Sequence, residues 1–224
     1  MAESRTEGAK QRSGSTTDDV TDRLREAILD GTFPPDSWLR EVDLAKTLQV
    51  SRTPVREALK RLADEQLIDR EANRGCRVRP MTFEDTLAVY SVRASLEALA
   101  ARTVAIDRPE GLVEKLRALQ EQMKDPATSP RELAQLNLAF HRAIRTAADN
   151  VYLVRFLTQV EHAVRRFGHS SFESPARVQQ VIEEHEALIE AIAAGDEAAA
   201  EEAAAHHMRM ARDARISHMM RGVK

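Results

Sequence analysis

The first third of the chain alternates short stripes of apolar residues with turn-forming residues. Apolar side chains recur at helical spacing over residues 20–29, and Gly31 follows at the position expected after a helix C-terminus. The same spacing predicts a short helix over Glu41–Leu48 and a second helix from residue 52 to about residue 65. Only residues 49–51 separate them. Two short helices with such a tight connection are typical of a helix-turn-helix.

The residues after this motif have the pattern of a β-hairpin. The segments 67–70 and 76–79 flank residues 71–75, which end in a glycine, so we expect two strands and a turn, the wing of a winged helix. Pro80 then interrupts the pattern, because proline lacks an amide donor and biases its predecessor toward extended backbone. The sequence therefore predicts a winged helix-turn-helix domain over residues 18–79 and a linker over residues 80–82.

From residue 83 onward the apolar pattern has the period of α-helices. Short breaks rich in Asp, Asn, Gly and Pro separate the segments, and short connections imply antiparallel neighbours. We expect a mostly α protein in which an all-α antiparallel bundle of six helices, over residues 83–224, follows the winged domain. The predicted bundle helices are 83–106, 110–124, 130–148, 151–168, 176–194 and 196–219.

Composition indicates a globular protein and bears on its cellular location. The 224 residues are 42% hydrophobic and 31% charged, as in globular proteins, and no stretch approaches the roughly 18 apolar residues that span a bilayer. Cys76 is the single cysteine and cannot form an intramolecular disulfide, so we expect a cytoplasmic location and no membrane partner. Residues 1–17 carry no apolar segment like that of a signal peptide and are predicted to be a disordered tail.

Basic residues follow one face of the second helix of the helix-turn-helix. Arginine can bond two guanine acceptors at once, and the first-turn amides of a helix can bind phosphate. The net charge is only −3, so the placement of these residues, and not the total, favours double-stranded DNA. The alternative is an ordinary charged surface. The predicted DNA-contacting residues are Ser51 at the N-cap, Arg52, Thr53, Arg56 and Lys60 on the helix, and Arg74 and Gly75 at the wing tip.

Polar residues interrupt the apolar stripes of three bundle helices. Asn137 and His141 lie four residues apart on one apolar face, and His185 and His207 occupy the equivalent faces of the last two helices. Unpaired polar groups in a protein interior cost on the order of a few kcal/mol, and one divalent cation would satisfy all four. We therefore predict a site for a zinc, nickel or manganese type ion. Hydrogen-bonded core histidines are the alternative.

Arg93 and Glu97 lie one turn apart on the stripe of the first bundle helix. A buried arginine is costly unless it is paired, so Arg93 either pairs with Glu97 or binds the carboxylate of an effector. The second reading makes Arg93 an effector-binding residue and a small organic acid the expected ligand, with its other oxygens on the metal.

The N-terminal motifs resemble those of a known family. The run Ser51-Arg52-Thr53-Pro54-Val55-Arg56-Glu57-Ala58-Leu59, with residues 28–35 and 39–41 before it, resembles the winged-helix domain of the GntR family of bacterial transcription regulators. The remainder resembles the helical effector domain of the FadR subfamily, the FCD domain, and six helices instead of seven resemble its VanR-like branch. The resemblance extends from about residue 18 to residue 220.

The resemblance implies roles for the candidate residues. Arg52 and Arg56 match arginines that contact operator bases, the small residue before them contacts phosphate, and the wing enters the minor groove. The positions of Asn137, His141, His185 and His207 match the metal ligands of the subfamily, where the first is often Asp. Arg93 also matches a position of the effector site. Two residues depart from the pattern, since Asp36 and Gln66 replace family glycines.

The predicted function is that of a metabolite-responsive regulator, a repressor, that binds a palindromic operator as a homodimer. One alternative is a metal-dependent enzyme with an accessory N-terminal domain. The sequence lacks the His-Glu-x-x-His motif of metalloproteases. It also lacks the Glu-x-x-His motif of di-iron bundles, because no glutamate lies three residues before any histidine. A second alternative is a structural dimer without a metal, whose melting temperature would not respond to chelation.

Overall fold

The computed structural model describes residues 8–71, 74–165 and 171–222. The chain divides into two compact units, and the first boundary between them falls between Met81 and Thr82. No helix in these described ranges has the length and hydropathy needed to cross a membrane.

The first unit is a winged helix-turn-helix. Its core consists of apolar side chains from all three helices and from the sheet, with Val20, Val55, Leu62 and Ile68 among the most deeply buried. The three strands are antiparallel in the order β1-β3-β2, and Ile68 pairs with Val78 in the wing. The elements are α1 (Gly8–Leu29), β1 (Trp38–Leu39), α2 (Glu41–Leu48), α3 (Arg52–Asp64), β2 (Ile68–Glu71) and β3 (Gly75–Val78).

The first helix differs from the sequence prediction. Residues 8–17, part of the predicted disordered tail, are helical and continuous with the predicted helix over residues 20–29. Extension of a formed helix adds one hydrogen bond per residue without a new nucleation step, which explains how polar residues continue it. Residues 1–7 of the predicted tail lie outside the described residues, as do residues 72–73 of the wing turn.

Two tight turns of this unit use left-handed backbone at residues other than glycine. Asp36 has φ 71° and Gln66 has φ 58°, and these are the two positions where glycine was expected from the resemblance. Left-handed backbone costs a residue with a Cβ about 1–2 kcal/mol. At the wing, Gly75 has φ 111°, and a Cβ there would lie 3.1 Å from the carbonyl oxygen of Leu39. The family glycines thus mark real backbone requirements.

The second unit is an all-α bundle, and the six α-helices among its described residues confirm the predicted fold class. Capping boxes start two of them, Thr82 with Asp85 and Ser129 with Glu132, in which side chains and backbone amides bond reciprocally. Its main core includes Leu116, Phe140, Ile144, Leu157, Leu188 and Ile189. The helices are α4 (Phe83–Asp107), α5 (Leu112–Lys124), α6 (Pro130–Ala147), α7 (Val151–Arg165), α8 (Pro175–Ala194) and α9 (Glu197–Gly222).

Candidate functional site

The helix α3 presents an apolar face to the core and a basic face to solvent. Four residues at helical spacing are buried, Val55, Ala58, Leu59 and Leu62, as the apolar pattern predicts. Ser51 occupies the N-cap with extended backbone, but its side chain makes no capping hydrogen bond. Its exposed hydroxyl and the first-turn amides are therefore available to a phosphate.

The basic side chains of α3 are exposed and paired with acidic neighbours. The side chains of Arg52 and Arg56 are 60% and 52% exposed. Arg56 donates to Glu41 through Nε at 3.2 Å and Nη2 at 3.1 Å, and this hydrogen bonding raises the pKa of the guanidinium. Lys60 Nζ lies 2.7 Å from Glu57 Oε1. Surface pairs of this kind exchange readily for other partners, including phosphate.

Thr53 lies beside these residues and is exposed. In the wing, Arg74 is the most exposed of the candidate basic residues, at 74%, with Glu71 Oε2 3.7 Å away. Gly75 follows it at the start of β3. All seven predicted DNA-contacting residues thus lie on exposed parts of the first unit.

Three buried histidines meet inside the second unit. His141 of α6, His185 of α8 and His207 of α9 are at most 4% exposed, and their ligand atoms lie within 4.8 Å of one another. His141 Nε2 and His207 Nε2 are 3.1 Å apart. His185 stacks on Phe140 at 3.9 Å between ring centroids. We call this group the histidine cluster.

Two carboxylates fix the orientation of the two closest rings. His207 Nδ1 donates to Glu184 Oε2 at 2.5 Å, and His141 Nδ1 lies 3.5 Å from Glu97 Oε2. Burial alone would raise the pKa of Glu97, but His141 and the guanidinium groups of Arg93 and Arg145 lower it to about 2. Burial would likewise raise the pKa of Glu184, but His207 and Arg177 lower it. Both carboxylates are therefore ionised acceptors at neutral pH, and each faces the Nδ1 atom of a histidine.

The other ring nitrogens of these two histidines, His141 Nε2 and His207 Nε2, face each other. Two ring nitrogens 3.1 Å apart are held together either by a proton between them, as in an N–H···N hydrogen bond, or by a metal ion that both bind. Nitrogen ligands about 2.1 Å from one metal ion lie about 3.0–3.4 Å apart, so the observed spacing suits a shared ion. Burial also lowers the pKa of His207 to about 4 and that of His185 well below its ordinary value. Both rings are thus neutral and able to bind a metal.

Two further residues of the predicted site carry buried polar atoms that lack partners. His185 Nδ1 and Nε2 and Asn137 Oδ1 make no hydrogen bond within the described part of the chain. Asn137 lies one turn before His141 on α6, on the same face. Buried polar groups are normally satisfied, so these unpartnered atoms are available as ligands for a bound metal ion.

Arg93 is 7% exposed and lies beside Glu97, with Nε 3.4 Å from Glu97 Oε1. The predicted pairing with Glu97 is therefore present. It engages only the Nε edge, and within the described residues the two terminal nitrogens remain for another acceptor. The arginine also lies over the ring of Tyr90, at 5.8 Å from the centroid.

Two family models match the chain, one in each unit. The model of the "FCD domain" matches residues 88–210, more than half of the chain, and that of "Bacterial regulatory proteins, gntR family" matches residues 16–78. The chain belongs to the GntR family. Its domains and relatives are those of transcriptional regulators and not of enzymes, so the alternative of a metal-dependent enzyme is set aside.

Curated relatives of this GntR-family chain include repressors. One is the probable D-xylose utilization operon transcriptional repressor of Paenarthrobacter nicotinovorans, 31% identical over 84% of each chain. Another is the gluconate operon transcriptional repressor of Bacillus subtilis, 32% identical over 80% of this chain and 76% of the relative. Among solved structures, E. coli McbR/YncC covers 91% of this chain and 98% of its own, with 22% identity and a TM-score of 0.78, which supports the fold.

Sequence reasoning missed part of the surroundings of the histidine cluster. Arg177 is 6% exposed and binds Glu184 with both terminal nitrogens, at 2.5 and 3.0 Å, so a buried chain of contacts runs from Arg177 through Glu184 to His207. Glu184 precedes His185 and lies off the apolar stripe, and Arg177 lies in the first turn of α8. No periodicity singles out either residue. The one available signal was the acidic neighbour of a predicted ligand.

Proposed function

We propose that this GntR-family protein is a metabolite-responsive repressor that binds a palindromic operator as a homodimer. In this proposal residues 18–79 form the DNA-binding domain, and residues 83–224 form the domain that binds effector and dimerises. The effector is a small organic acid, bound through a divalent metal ion of zinc, nickel or manganese type. The observation that carries the effector part is the buried histidine cluster, in which His141 Nε2 and His207 Nε2 lie 3.1 Å apart and both ring nitrogens of His185 lack a hydrogen-bond partner among the described residues.

The DNA contact is supported by the exposure of Ser51, Arg52, Thr53, Arg56 and Lys60 on one end and face of α3. Side chains near the start of such a helix reach base edges in the major groove, where Arg52 and Arg56 would each bond guanine. Arg74 and Gly75 of the wing would meet phosphate or the minor groove. Two half-sites double the number of contacts that one small domain can make.

The effector site is supported by the donor set of the second unit. His141, His185, His207 and the amide oxygen of Asn137 would hold the ion, and neutral imidazoles suit zinc and nickel. A bound ion supplies positive charge and open positions for carboxylate oxygens. Arg93 would orient the same carboxylate through its terminal nitrogens. One relative is named for a gluconate operon, and gluconate is itself a hydroxy acid.

The homodimer is supported by an apolar surface on α4 and α7. An apolar groove of about 490 Å³ lies between these helices, and Val92 and Phe156 in its lining are about half exposed. Exposed apolar patches of this kind mark protein interfaces. A second copy of the chain would cover the groove, and rotation of the two copies by a bound effector would change the spacing of the DNA-binding domains.

Fluorescence anisotropy tests the proposal with a palindromic duplex selected by the wild-type protein from a random pool. We expect Arg52→Ala with Arg56→Ala to weaken binding roughly a hundredfold. The matched control, Arg102→Ala with Arg117→Ala, removes the same charge from the second unit and should leave affinity unchanged. Equal affinities for the two double variants would contradict the assignment of α3.

The effector part is tested with the same duplex after removal of metal by chelation. Screening of small organic acids with and without added zinc or nickel should identify acids that change DNA affinity only when metal is present. A metal-independent response to an acid would contradict the proposed metal-bound site, even if DNA binding by α3 holds.

A further inference from the structure

Glu41, at the start of α2, contacts both of the arginines that are proposed to contact bases. Its carboxylate lies 3.1–3.2 Å from Nε and Nη2 of Arg56 and 3.8 Å from Nη2 of Arg52. We infer that Glu41 is a positioning residue for base recognition, which holds the guanidinium of Arg56 so that its other edge faces the DNA. The inference rests on the proposed contact between Arg56 and the operator.

The contact with Glu41 leaves Arg56 with the N–H donors that a guanine requires. A guanidinium carries five N–H groups in one plane, and Glu41 takes the Nε–H and one Nη2–H of Arg56. The remaining donors, on Nη1 and the far side of Nη2, lie at the tip of the side chain. Guanine offers N7 and O6 side by side in the major groove, which matches this pair of donors. Arg56 can therefore bind Glu41 and a guanine together.

Holding Arg56 in advance favours the correct base over other contacts. An arginine without such a partner loses rotamer freedom when it binds a base. The contact with Glu41 restricts the Arg56 side chain in the free protein, so less conformational entropy is lost on binding DNA. The carboxylate also repels phosphate, so it disfavours contacts of Arg56 with the DNA backbone at incorrect sites. We expect Glu41 to lower affinity for DNA in general and to raise discrimination between sequences.

The exposure of the pair argues against a mainly structural role. The side chains of Arg56 and Glu41 are 52% and 29% exposed, and ion pairs at such sites contribute little to folding. The chain also offers a matched control. Glu57 of α3 binds Lys60 at 2.7 Å, but a lysine is a point charge without a planar fork, so Glu57 cannot orient a two-donor contact.

The test compares full-length wild type, Glu41→Gln and Glu57→Gln by fluorescence anisotropy. The probes are a duplex selected by the wild type from a random pool, the same duplex with its guanines replaced one at a time, and an unrelated duplex of equal length. Both variants should bind the unrelated duplex more tightly, since each removes one negative charge. Only Glu41→Gln should lower the preference for the selected duplex, by about three- to tenfold, with the loss confined to one guanine of each half-site.

Salt dependence provides a second measurement. When Arg56 is released from Glu41 it can turn toward phosphate, so the slope of log affinity against log salt for the unrelated duplex should steepen by up to about 0.9 in Glu41→Gln. In an Arg56→Lys background, Glu41→Gln should no longer change discrimination, because lysine has no fork to orient. Glu41→Asp keeps the charge of the first turn of α2 and shortens the side chain, and should give an intermediate loss even if Glu41→Gln folds poorly.

Two results would overturn the inference. One is the same preference for the selected duplex in Glu41→Gln and Glu57→Gln, and the other is a higher preference in Glu41→Gln, which would make Glu41 a competitor of the operator. Failure of the proposed function has a different appearance. In that case the wild type selects no duplex from the pool, or Arg56→Lys leaves the preference unchanged.

Discussion

The polar side chains of helix α3 and those of the histidine cluster differ in their exposure to solvent. On α3, Arg52 and Arg56 are more than half exposed and share a carboxylate that water can replace. In the bundle, His141, His185 and His207 are at most 4% exposed, so their ring nitrogens are shielded from bulk solvent. A missing partner therefore costs little on α3 and much in the bundle. The proposed DNA contacts could therefore form and break without change to the fold, whereas the proposed binding of metal in the bundle would be coupled to its stability.

The largest expected effect comes from breaking a buried ion pair near the cluster. Arg177→Met leaves Glu184 ionised, 8% exposed and without its guanidinium, which should lower the free energy of unfolding by about 3–5 kcal/mol. Arg117→Met is the matched control, because Arg117 pairs with Glu190 in the same unit at more than half exposure. It should cost less than about 1 kcal/mol. Equal urea midpoints for the two variants would show that the buried ion pair contributes no more to stability than the exposed one.

Metal binding should give the next largest effect. An ion present at 1,000 times its dissociation constant stabilises the native state by about 4 kcal/mol. His185→Phe should abolish this gain in thermal unfolding with added zinc or nickel. Without metal, the same variant should be more stable than wild type by about 1–2 kcal/mol, because the phenyl ring removes two unsatisfied nitrogens and can keep the stack on Phe140.

His206, which precedes His207 on α9, supplies the control for the His185→Phe experiment. It is exposed, so His206→Phe should leave the metal response intact. A gain from metal that survives in His185→Phe would remove His185 from the site. A His185→Phe protein that is less stable than wild type without metal would instead indicate that the ring nitrogens have partners in solution.

The carboxylate beside His207 should have a smaller effect, on metal affinity. Glu184→Gln weakens the acceptor that orients His207 Nδ1, and loss of such partners lowers metal affinity about 10–100-fold, or about 1.4–2.7 kcal/mol. Isothermal titration with zinc measures the change. Glu183→Gln removes the same charge one residue earlier on the exposed face of α8 and should have no effect. Equal losses would point to general electrostatics and not to orientation of the ring.

The sequence predicted the helices more completely than the site. Apolar spacing placed α2 over Glu41–Leu48 as observed and most bundle helices to within two residues, because each helix buries one regular face. The same argument found His141, His185 and His207, since each occupies a position where an apolar residue was due. The strand β1 was not predicted, because two residues are too few to show a periodic pattern.

Contacts between helices were beyond this kind of reasoning. Pairing of Glu97 with Arg93, one turn away on α4, was one of two alternatives open from the sequence, but the proximity of Glu97 to His141 depends on how α4 packs against α6. Glu41 was counted among the residues of a helix start, and its hold on Arg56 depends on the angle between α2 and α3. Periodicity specifies which face is buried and leaves the partner of each polar atom to tertiary packing.

The smallest expected effect concerns the winged domain and comes from backbone strain at a turn, not from a buried charge. Gln66 has φ 58° between α3 and β2, and glycine adopts this conformation without the steric penalty of a Cβ. Gln66→Gly should therefore raise the free energy of unfolding of the winged domain by up to about 1 kcal/mol, after the greater flexibility of glycine in the unfolded chain is subtracted. Gln66→Ala keeps the Cβ and should give no gain. Equal thermal midpoints for the two variants would mean that the turn relaxes in solution, and that the departure from the family glycine carries no cost.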